Sequence, residues 1–196
     1  MVSEYPKIFL VRHGQTIWNR EGRFQGRLDS ALTERGKAQA LENAKRLKKY
    51  IYNKDIKVFS SPLGRAKNTA FIICDELGID REKIIFDKRV IEFSYGVFEG
   101  KRKEDIKNSK EFRDREANKW DYRIENGESY ALVQKRVKEF LEDIRGEREV
   151  LIVAHEMVNR TIRGVYCNYT KEETLKLKQP NDTIFLLYKG MESLIN

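Results

Sequence analysis

Two histidines are the residues of this chain whose type and spacing could do chemistry. They are the only two among 196 residues, and His13 follows the run Ile-Phe-Leu-Val-Arg while His155 follows Val-Leu-Ile-Val-Ala. Such β-branched runs are too short for helices and predict buried strands. Ligands of open α/β sheets bind beyond the carboxyl ends of parallel strands, so the pattern favours two rings that face one cleft. Position alone leaves an alternative open, namely two unrelated loop histidines bonded to local backbone.

Two arginines extend this pattern toward phosphate chemistry. Arg12 precedes His13. Arg65 falls in the first turn of a helix predicted to open at Ser61-Pro62, which follows a predicted strand other than the two that end at the histidines. A cation in that turn opposes the helix dipole by about 0.3–1 kcal/mol, which is easier to explain if an anion faces it. Guanidinium and imidazole groups together suit the binding and attack of a phosphoryl group.

The chemistry predicted from these residues needs no metal. A neutral imidazole, whose ordinary pKa is about 6.5, is a nucleophile at neutral pH without a separate base. Arg12, Arg65 and the second histidine would meet the charge of the transferring phosphoryl oxygens. The sequence has no evident metal-binding motif, so we expect neither a metal site nor a cofactor.

Hydrophobic periodicity predicts elements that alternate between strand and helix. Strands are predicted over residues 7–12, 56–60, 84–90, 149–154 and 183–188, and helices over 33–51, 61–77, 129–145 and 157–167. This alternation predicts the α/β class, as a three-layer α/β/α sandwich with a mostly parallel central sheet. Because no linker or repeat occurs, residues 1–196 are expected to form a single domain, in which the charged segment 101–126 is a helical insertion over the surface.

The composition limits the classes of partner that the chain could bind. Lys and Arg total 39 against 31 Asp and Glu, a formal charge of +8, which favours phosphorylated metabolites or nucleic acid. Acidic residues interleave with the basic ones and no aromatic-basic stacking motif occurs, so we expect no nucleic acid as a partner.

Neither a leader pattern nor about 18 consecutive apolar residues occur, so we expect no membrane contact and a cytoplasmic location. Cys74 and Cys167 are too few for a disulfide framework. A monomer and a homodimer are both compatible with the sequence.

Six motifs occur in order along nearly the whole chain. They are Arg12-His13-Gly14-Gln15-Thr16-x-Trp18-Asn19; Gly22-Arg23-Phe24-Gln25-Gly26 with Leu32-Thr33-Glu34-Arg35-Gly36; Ser60-Ser61-Pro62-Leu63-x-Arg65-Ala66-x-x-Thr69-Ala70; Glu92-x-x-x-Gly96-x-x-Glu99-Gly100; Gly127-Glu128-Ser129; and Ala154-His155. With this set the chain resembles the histidine phosphatase superfamily, in its phosphoglycerate mutase-like branch. The resemblance implies a histidine phosphatase domain, and the substrate determinants are expected in the segment 101–126.

The resemblance also implies roles for the site residues. His13 would be the nucleophile that forms a phosphohistidine, and Arg12, Arg65 and His155 would form the phosphate pocket. Glu92 would donate a proton to the leaving-group oxygen, a role that suits a carboxyl whose pKa burial raises. Further substrate-binding residues implied by the motifs are Gly14, Gln15, Thr16, Asn19, Gln25 and Gly26.

Two acidic residues complicate this assignment. Glu99 is the nearest competitor of Glu92, although family members usually use it structurally. Glu156 stands where most family members have glycine, directly after His155. Its carboxylate would disfavour a second anionic group beside the phosphate, or could hydrogen-bond to hydroxyls or an amine of the substrate. This departure weighs against a doubly phosphorylated substrate.

Three functions are compatible with the resemblance. A metal-independent phosphomonoesterase that acts on small phosphorylated metabolites is favoured, because the cofactor-dependent mutases are usually longer and have extra segments that exclude water. A cofactor-dependent phosphoglycerate mutase is the runner-up. A non-catalytic phospholigand-binding protein is the third, and the intact set of site residues argues against it.

Overall fold

One six-stranded sheet organises the chain, which a computed structural model describes over residues 5–196. The strands are β1 (Lys7–Arg12), β2 (Lys57–Ser60), β3 (Ile84–Phe86), β4 (Glu149–Ala154), β5 (Ile184–Tyr188) and β6 (Met191–Ile195). Their order is β3-β2-β4-β1-β5-β6; the first four run parallel, whereas β5 is antiparallel to β1 and β6 to β5. The α/β class and the mostly parallel sheet are confirmed.

Helices connect the strands and cover the sheet. They are α1 (Ile17–Glu21), α2 (Glu34–Leu47), α3 (Gly64–Leu77), α4 (Lys103–Ile106), α5 (Lys110–Ala117), α6 (Tyr130–Asp143), α7 (Glu156–Tyr166) and α8 (Lys171–Lys176). Within residues 5–196, no helix combines the length and apolar character needed to cross a bilayer.

The two faces of the sheet carry separate apolar cores. Along β1, Phe9 and Val11 point into a core that α2 and α3 complete, while Ile8 and Leu10 point into the core under α6 and α7. This alternation is the period-two pattern of a strand buried on both faces. The structure therefore has the three layers that the sequence predicts.

Several boundaries differ from the predictions. The helix expected to open at Ser61-Pro62 begins at Gly64, with Leu63 as its N-cap and no side-chain capping bond. Ser61 is held in an extended segment instead, because its backbone N–H donates to the carbonyl of Val153 at 3.1 Å. Strand β3 ends at Phe86, two 3₁₀ turns lie near it, and α1, α8 and β6 were not predicted.

The segment 101–126 is helical only in its first part. It contains α4 and α5, and residues 118–129 then follow an irregular path to α6. Phe112 of α5 is buried in the same core as α6. The short length of α4 and α5 explains why periodicity did not resolve them.

The loop after β1 lies very close to the start of α2. A Cβ atom at Gly14 would lie 2.1 Å from the Gly36 carbonyl oxygen, and one at Gly36 would lie 2.1 Å from the Gln15 carbonyl oxygen. Only glycine fits such an approach of two backbones. The contact fixes the loop that begins with His13.

Candidate active site

The pairing of β1 with β4 brings the two histidines together. Arg12 is in register with Ala154, so His13 and His155 leave adjacent parallel strands at the same edge. The His13 backbone N–H donates to the Ala154 carbonyl at 3.0 Å, and the two ring centroids lie 5.1 Å apart. The shared cleft predicted from the sequence is therefore present in the structure.

The protonation of His13 follows from its hydrogen bond. Its Nδ1 lies 2.7 Å from the carbonyl oxygen of Gly14, and because a carbonyl can only accept, Nδ1 carries the proton. The lone pair is then on Nε2. Burial, followed by the guanidiniums of Arg65 and Arg12, holds the pKa of His13 well below its ordinary value of 6.5. The ring is neutral at pH 7 and can act as a nucleophile through Nε2.

The residue that follows a third strand of the sheet, β2, contacts the ring of His155. Ser61 follows β2, the other neighbour of β4, and its Oγ lies 2.7 Å from Nε2 of His155. The Nδ1 atom of His155 is buried and has no hydrogen-bond partner among the described residues. Burial and then the charge of Arg65 lower the pKa of His155 well below 6.5, so this ring is also neutral.

Arg65 lies deep in the site, with its side chain 1% exposed. Its Nη1 donates to the carbonyl of Leu28 at 2.8 Å and to Oδ1 of Asp29 at 3.0 Å, and its Nη2 donates to the carbonyl of Gly26 at 2.7 Å. These bonds hold the guanidinium in one orientation. Its Nε–H is buried and has no partner in the described chain, which leaves it for a ligand.

Arg12 is held by groups from the other side of the site. Its Nη1 donates to the carbonyl of Gln179 at 2.8 Å and lies 2.9 Å from a carboxylate oxygen of Glu156. The other oxygen of Glu156 lies 3.5 Å from Arg160. Glu156 is thus shared by two arginines, which offsets part of its repulsion toward an anion. The Nε atom of Arg12 is buried and finds no hydrogen-bond partner in the part of the chain that the structure describes.

Glu92 and Glu99 have different environments. Glu92 lines the same cavity as His13, and burial, partly opposed by Arg65, raises its pKa above the ordinary 4.5. Glu99 instead accepts hydrogen bonds from the backbone N–H groups of Arg27 and Tyr95, at 3.1 and 3.0 Å. The structure thus separates a carboxyl that can exchange a proton in the cavity from one that holds loops together.

These groups surround a cavity of about 150 Å³, roughly five water volumes. We call it the phosphate pocket. It is lined by Arg12, His13, Asn19, Arg23, Phe24, Gln25, Gly26, Arg65, Glu92, Tyr95, Glu156 and Met157. Sequence reasoning did not select Arg23, Phe24, Tyr95 or Met157 as site residues, and only Arg23 and Phe24 lie within a motif.

Two amides in the wall are oriented by neighbouring hydroxyl and backbone groups. The Gln25 side-chain oxygen accepts hydrogen bonds from Oγ1 of Thr16 at 3.0 Å and Oγ of Ser30 at 3.1 Å. The Asn19 side-chain oxygen accepts from the Thr16 backbone N–H at 3.1 Å. Since both oxygens are occupied, each amide can offer its NH₂ group to an anion.

Gly14, Gln15 and Thr16 do not line the phosphate pocket, contrary to expectation. Their backbone N–H groups donate to Thr69, Gln39 and Asn19. Gly26 lines it but with φ of +54°, where a Cβ would meet the Glu99 carboxylate at 2.0 Å. The loop amides donate to acceptors on three helices, Thr69 of α3, Gln39 of α2 and Asn19 of α1, so these residues position the site.

Similarity to known proteins agrees with this geometry. Residues 8–189 match the family model of the histidine phosphatase superfamily, branch 1. The chain belongs to this superfamily. It is 36% identical over 166 residues to phosphoserine phosphatase 1 of Hydrogenobacter thermophilus, covering 82% of this chain and 74% of that protein.

Two further similarities place this histidine phosphatase among its relatives. It is 38% identical over 152 residues to the Escherichia coli protein named "Probable phosphoglycerate mutase GpmB", covering 74% and 68% of the two chains. Its fold superposes on a mycobacterial glucosyl-3-phosphoglycerate phosphatase with a TM-score of 0.80 and 22% identity, over 96% and 97% of the two chains. The family and the enzyme class predicted from the motifs are confirmed: the protein is a phosphatase.

The Ser61 hydroxyl provides a test of how His155 is positioned. We expect Ser61→Ala to lower kcat/KM about fivefold, because it removes the one side-chain hydrogen-bond partner of the His155 ring found in the described chain, a loss of roughly 1 kcal/mol. Steady-state kinetics on a phosphate monoester measures the change. The matched control is Ser60→Ala, equally buried, whose hydroxyl donates to a backbone carbonyl. Equal losses in both variants would contradict the assignment.

Proposed function

We propose that this histidine phosphatase hydrolyses small phosphate monoesters without a metal, through a phosphohistidine formed on Nε2 of His13. The observation that carries the proposal is a set of buried nitrogen atoms around His13 that lack a protein partner. Within residues 5–196, these atoms are Nε of Arg12, Nε of Arg65 and Nδ1 of His155. Buried polar groups are rarely left unpaired, and N–H donors around a nucleophile suit a phosphoryl group.

The first step transfers the phosphoryl group to the protein. Nε2 of His13 attacks phosphorus while the ester P–O bond breaks, and the leaving oxygen takes a proton from the Glu92 carboxyl. Arg12, Arg65 and His155 stabilise the charge on the phosphoryl oxygens. The NH₂ groups of Asn19 and Gln25 add donors at the wall of the phosphate pocket.

The second step returns the protein to its starting state. Water attacks phosphorus, the P–N bond to His13 breaks, and the Glu92 carboxylate takes a proton from the water. Inorganic phosphate leaves, and His13 recovers its neutral Nε2 lone pair. A carboxyl whose pKa is raised toward neutrality by burial suits both halves of this cycle, because it must give and then regain a proton.

Protein groups supply the positive charge that the reaction requires. Among residues 5–196 no cluster of three or more His, Cys, Asp or Glu side chains could hold a metal ion. The side chains of Arg12 and Arg65 line the phosphate pocket together with His13, and guanidinium groups can stabilise the charge of phosphoryl oxygens. This arrangement supports the metal-independent reaction.

Phosphate release measured with and without EDTA tests the proposed function. The wild type should hydrolyse members of a panel of small phosphate monoesters at rates that EDTA leaves unchanged. His13→Ala should lose activity by about 10³-fold or more, because the attacking atom is gone. Wild type and variant are purified identically, so equal activity in both would identify a contaminant and reject the proposal.

The same preparation separates hydrolysis from phosphoryl transfer between hydroxyls. A mutase would interconvert 3- and 2-phosphoglycerate and depend strongly on 2,3-bisphosphoglycerate, as the name of the Escherichia coli relative suggests for that protein. We expect phosphate release to exceed that interconversion. The Glu156 carboxylate beside Arg12 disfavours a second phosphate in the pocket.

Glu92→Gln tests the proton donor. We expect kcat/KM for an alkyl phosphate to fall about 10²-fold or more, whereas p-nitrophenyl phosphate should lose only a few-fold, since its leaving group is a stable anion. The ratio of the two values is the readout. The control is Glu99→Gln, which should leave that ratio at the wild-type value even if it lowers stability. Equal losses for both substrates in Glu92→Gln would remove Glu92 from this role.

A further inference from the structure

A second and larger cavity adjoins the phosphate pocket. Its volume is about 370 Å³ against about 150 Å³ for the phosphate pocket, and the two share the side chains Phe24, Tyr95 and Met157 in their walls. We call it the outer cavity. It falls within the size range of small-molecule sites, roughly 300–1,000 Å³. A phosphate bound beside His13 would direct the rest of its ester toward this space.

The inner part of the outer cavity is aromatic. Phe24, Tyr95, Phe112 and Tyr130 line it, and the Phe24 and Tyr95 ring centroids lie 4.7 Å apart. Such rings favour a planar or apolar body over a short hydrated chain.

The remaining wall is strongly cationic. Five basic side chains face one acidic side chain, and the basic ones are Lys103, Arg115, Lys119, Arg160 and Lys178. Glu116 pairs with Arg115 and with Lys119. Within residues 5–196 Lys103 and Lys178 have no carboxylate at salt-bridge distance. The excess of positive charge at one cavity favours an anionic ligand there.

Two of these cations, Arg115 and Arg160, are held in place by contacts with neighbouring side chains. Arg115 has a side chain 9% exposed, with its guanidinium 5.9 Å from the Tyr95 ring. Arg160 donates to the Tyr130 hydroxyl at 2.9 Å. The Nε atoms of both arginines are buried, and no residue from 5 to 196 accepts a hydrogen bond from them. Unpaired guanidinium N–H groups beside a cavity are suited to a carboxylate or phosphate.

Resting on the proposed phosphatase reaction, we propose that the outer cavity binds the leaving group of the substrate. The substrate class is a phosphate monoester whose alcohol part combines a ring or apolar body with a second anionic group, a carboxylate or a phosphate. The aromatic wall contacts the body and the cations contact the anion. Segment 101–126 contributes Lys103, Phe112, Arg115 and Lys119 to this cavity, which gives the insertion a substrate-side role.

The second anion is kept apart from the first by Glu156. This carboxylate lies between Arg12 of the phosphate pocket and Arg160 of the outer cavity. It disfavours two anions side by side at His13, while leaving the more distant cations available. The ester must therefore place its two anionic groups at opposite ends of the body.

A pair of matched esters tests the proposal. 4-(2-Carboxyethyl)phenyl phosphate and its primary amide share the ring and have nearly equal leaving groups, because two methylenes insulate the phenol oxygen. At low salt the wild type should show a kcat/KM at least about tenfold higher for the acid, and added salt should reduce this preference. The 2-phosphonoethyl analogue distinguishes a phosphate-type anion from a carboxylate. A kcat/KM above that of the acid indicates a site for a phosphate-type anion, and a lower value indicates a site for a carboxylate.

Two double variants that remove the same amount of charge show which cations cause the preference for the acid. Lys103→Gln with Lys178→Gln removes two exposed cations of the outer cavity, and the acid-to-amide ratio should fall about three-fold or more. The control is Lys45→Gln with Lys49→Gln, which changes an exposed residue of α2 and one just after it, on the opposite face of the sheet. This double variant should keep the wild-type ratio.

The outcomes separate the two proposals. If the wild type hydrolyses neither these esters nor any member of the panel of phosphate monoesters, the phosphatase function itself fails. If it hydrolyses members of the panel but none of these esters, the proposed substrate class is overturned. If it hydrolyses the acid, the phosphonate and the amide equally well, or if both double variants change the ratio alike, the role of the outer cavity is overturned while the phosphatase function stands. A preference lost only in the Lys103 and Lys178 double variant supports the outer cavity.

Discussion

The parallel pairing of β1 with β4 is the constraint on which the site depends. Because Arg12 is in register with Ala154, the next residues of both strands are histidines that leave the sheet side by side. Pairing of β2 with β4 adds Ser61 next to them. A shift of one residue in the β1–β4 pairing would turn one ring toward the apolar core and separate His13 from His155, and a shift in the β2–β4 pairing would separate Ser61 from His155.

Burial and positive charge then set the chemistry of this edge. Neither histidine can be protonated easily among Arg12 and Arg65, so both rings stay neutral. Arg65 itself is tolerated because Asp29 and two backbone carbonyls hold it. The site thus combines a neutral nucleophile with fixed cations, which is a preorganised environment for an anionic substrate. In the proposed reaction, the phosphate pocket binds the reacting phosphoryl group and the larger outer cavity binds the remainder of the ester.

The sequence was sufficient for the sheet class and for the central residues. Two strand ends with histidines, and an arginine in the next helix, are local patterns that parallel topology brings together. Other features depend on packing that no local pattern contains. The N–H groups of Gly14, Gln15 and Thr16 donate to side chains of α3, α2 and α1 instead of lining the phosphate pocket. The outer cavity combines α5, α6, α7 and the chain after α8, whose side chains meet only in three dimensions.

Imidazole ¹⁵N NMR with histidine labelling tests the central claim most directly, because the protein has two histidines and one His155→Gln spectrum assigns both. The account predicts that His13 is the neutral Nδ1–H tautomer and remains unprotonated as the pH falls through about 6.5, the ordinary imidazole pKa. Titration of His13 with a midpoint near that value, or an Nε2–H tautomer, would contradict the account.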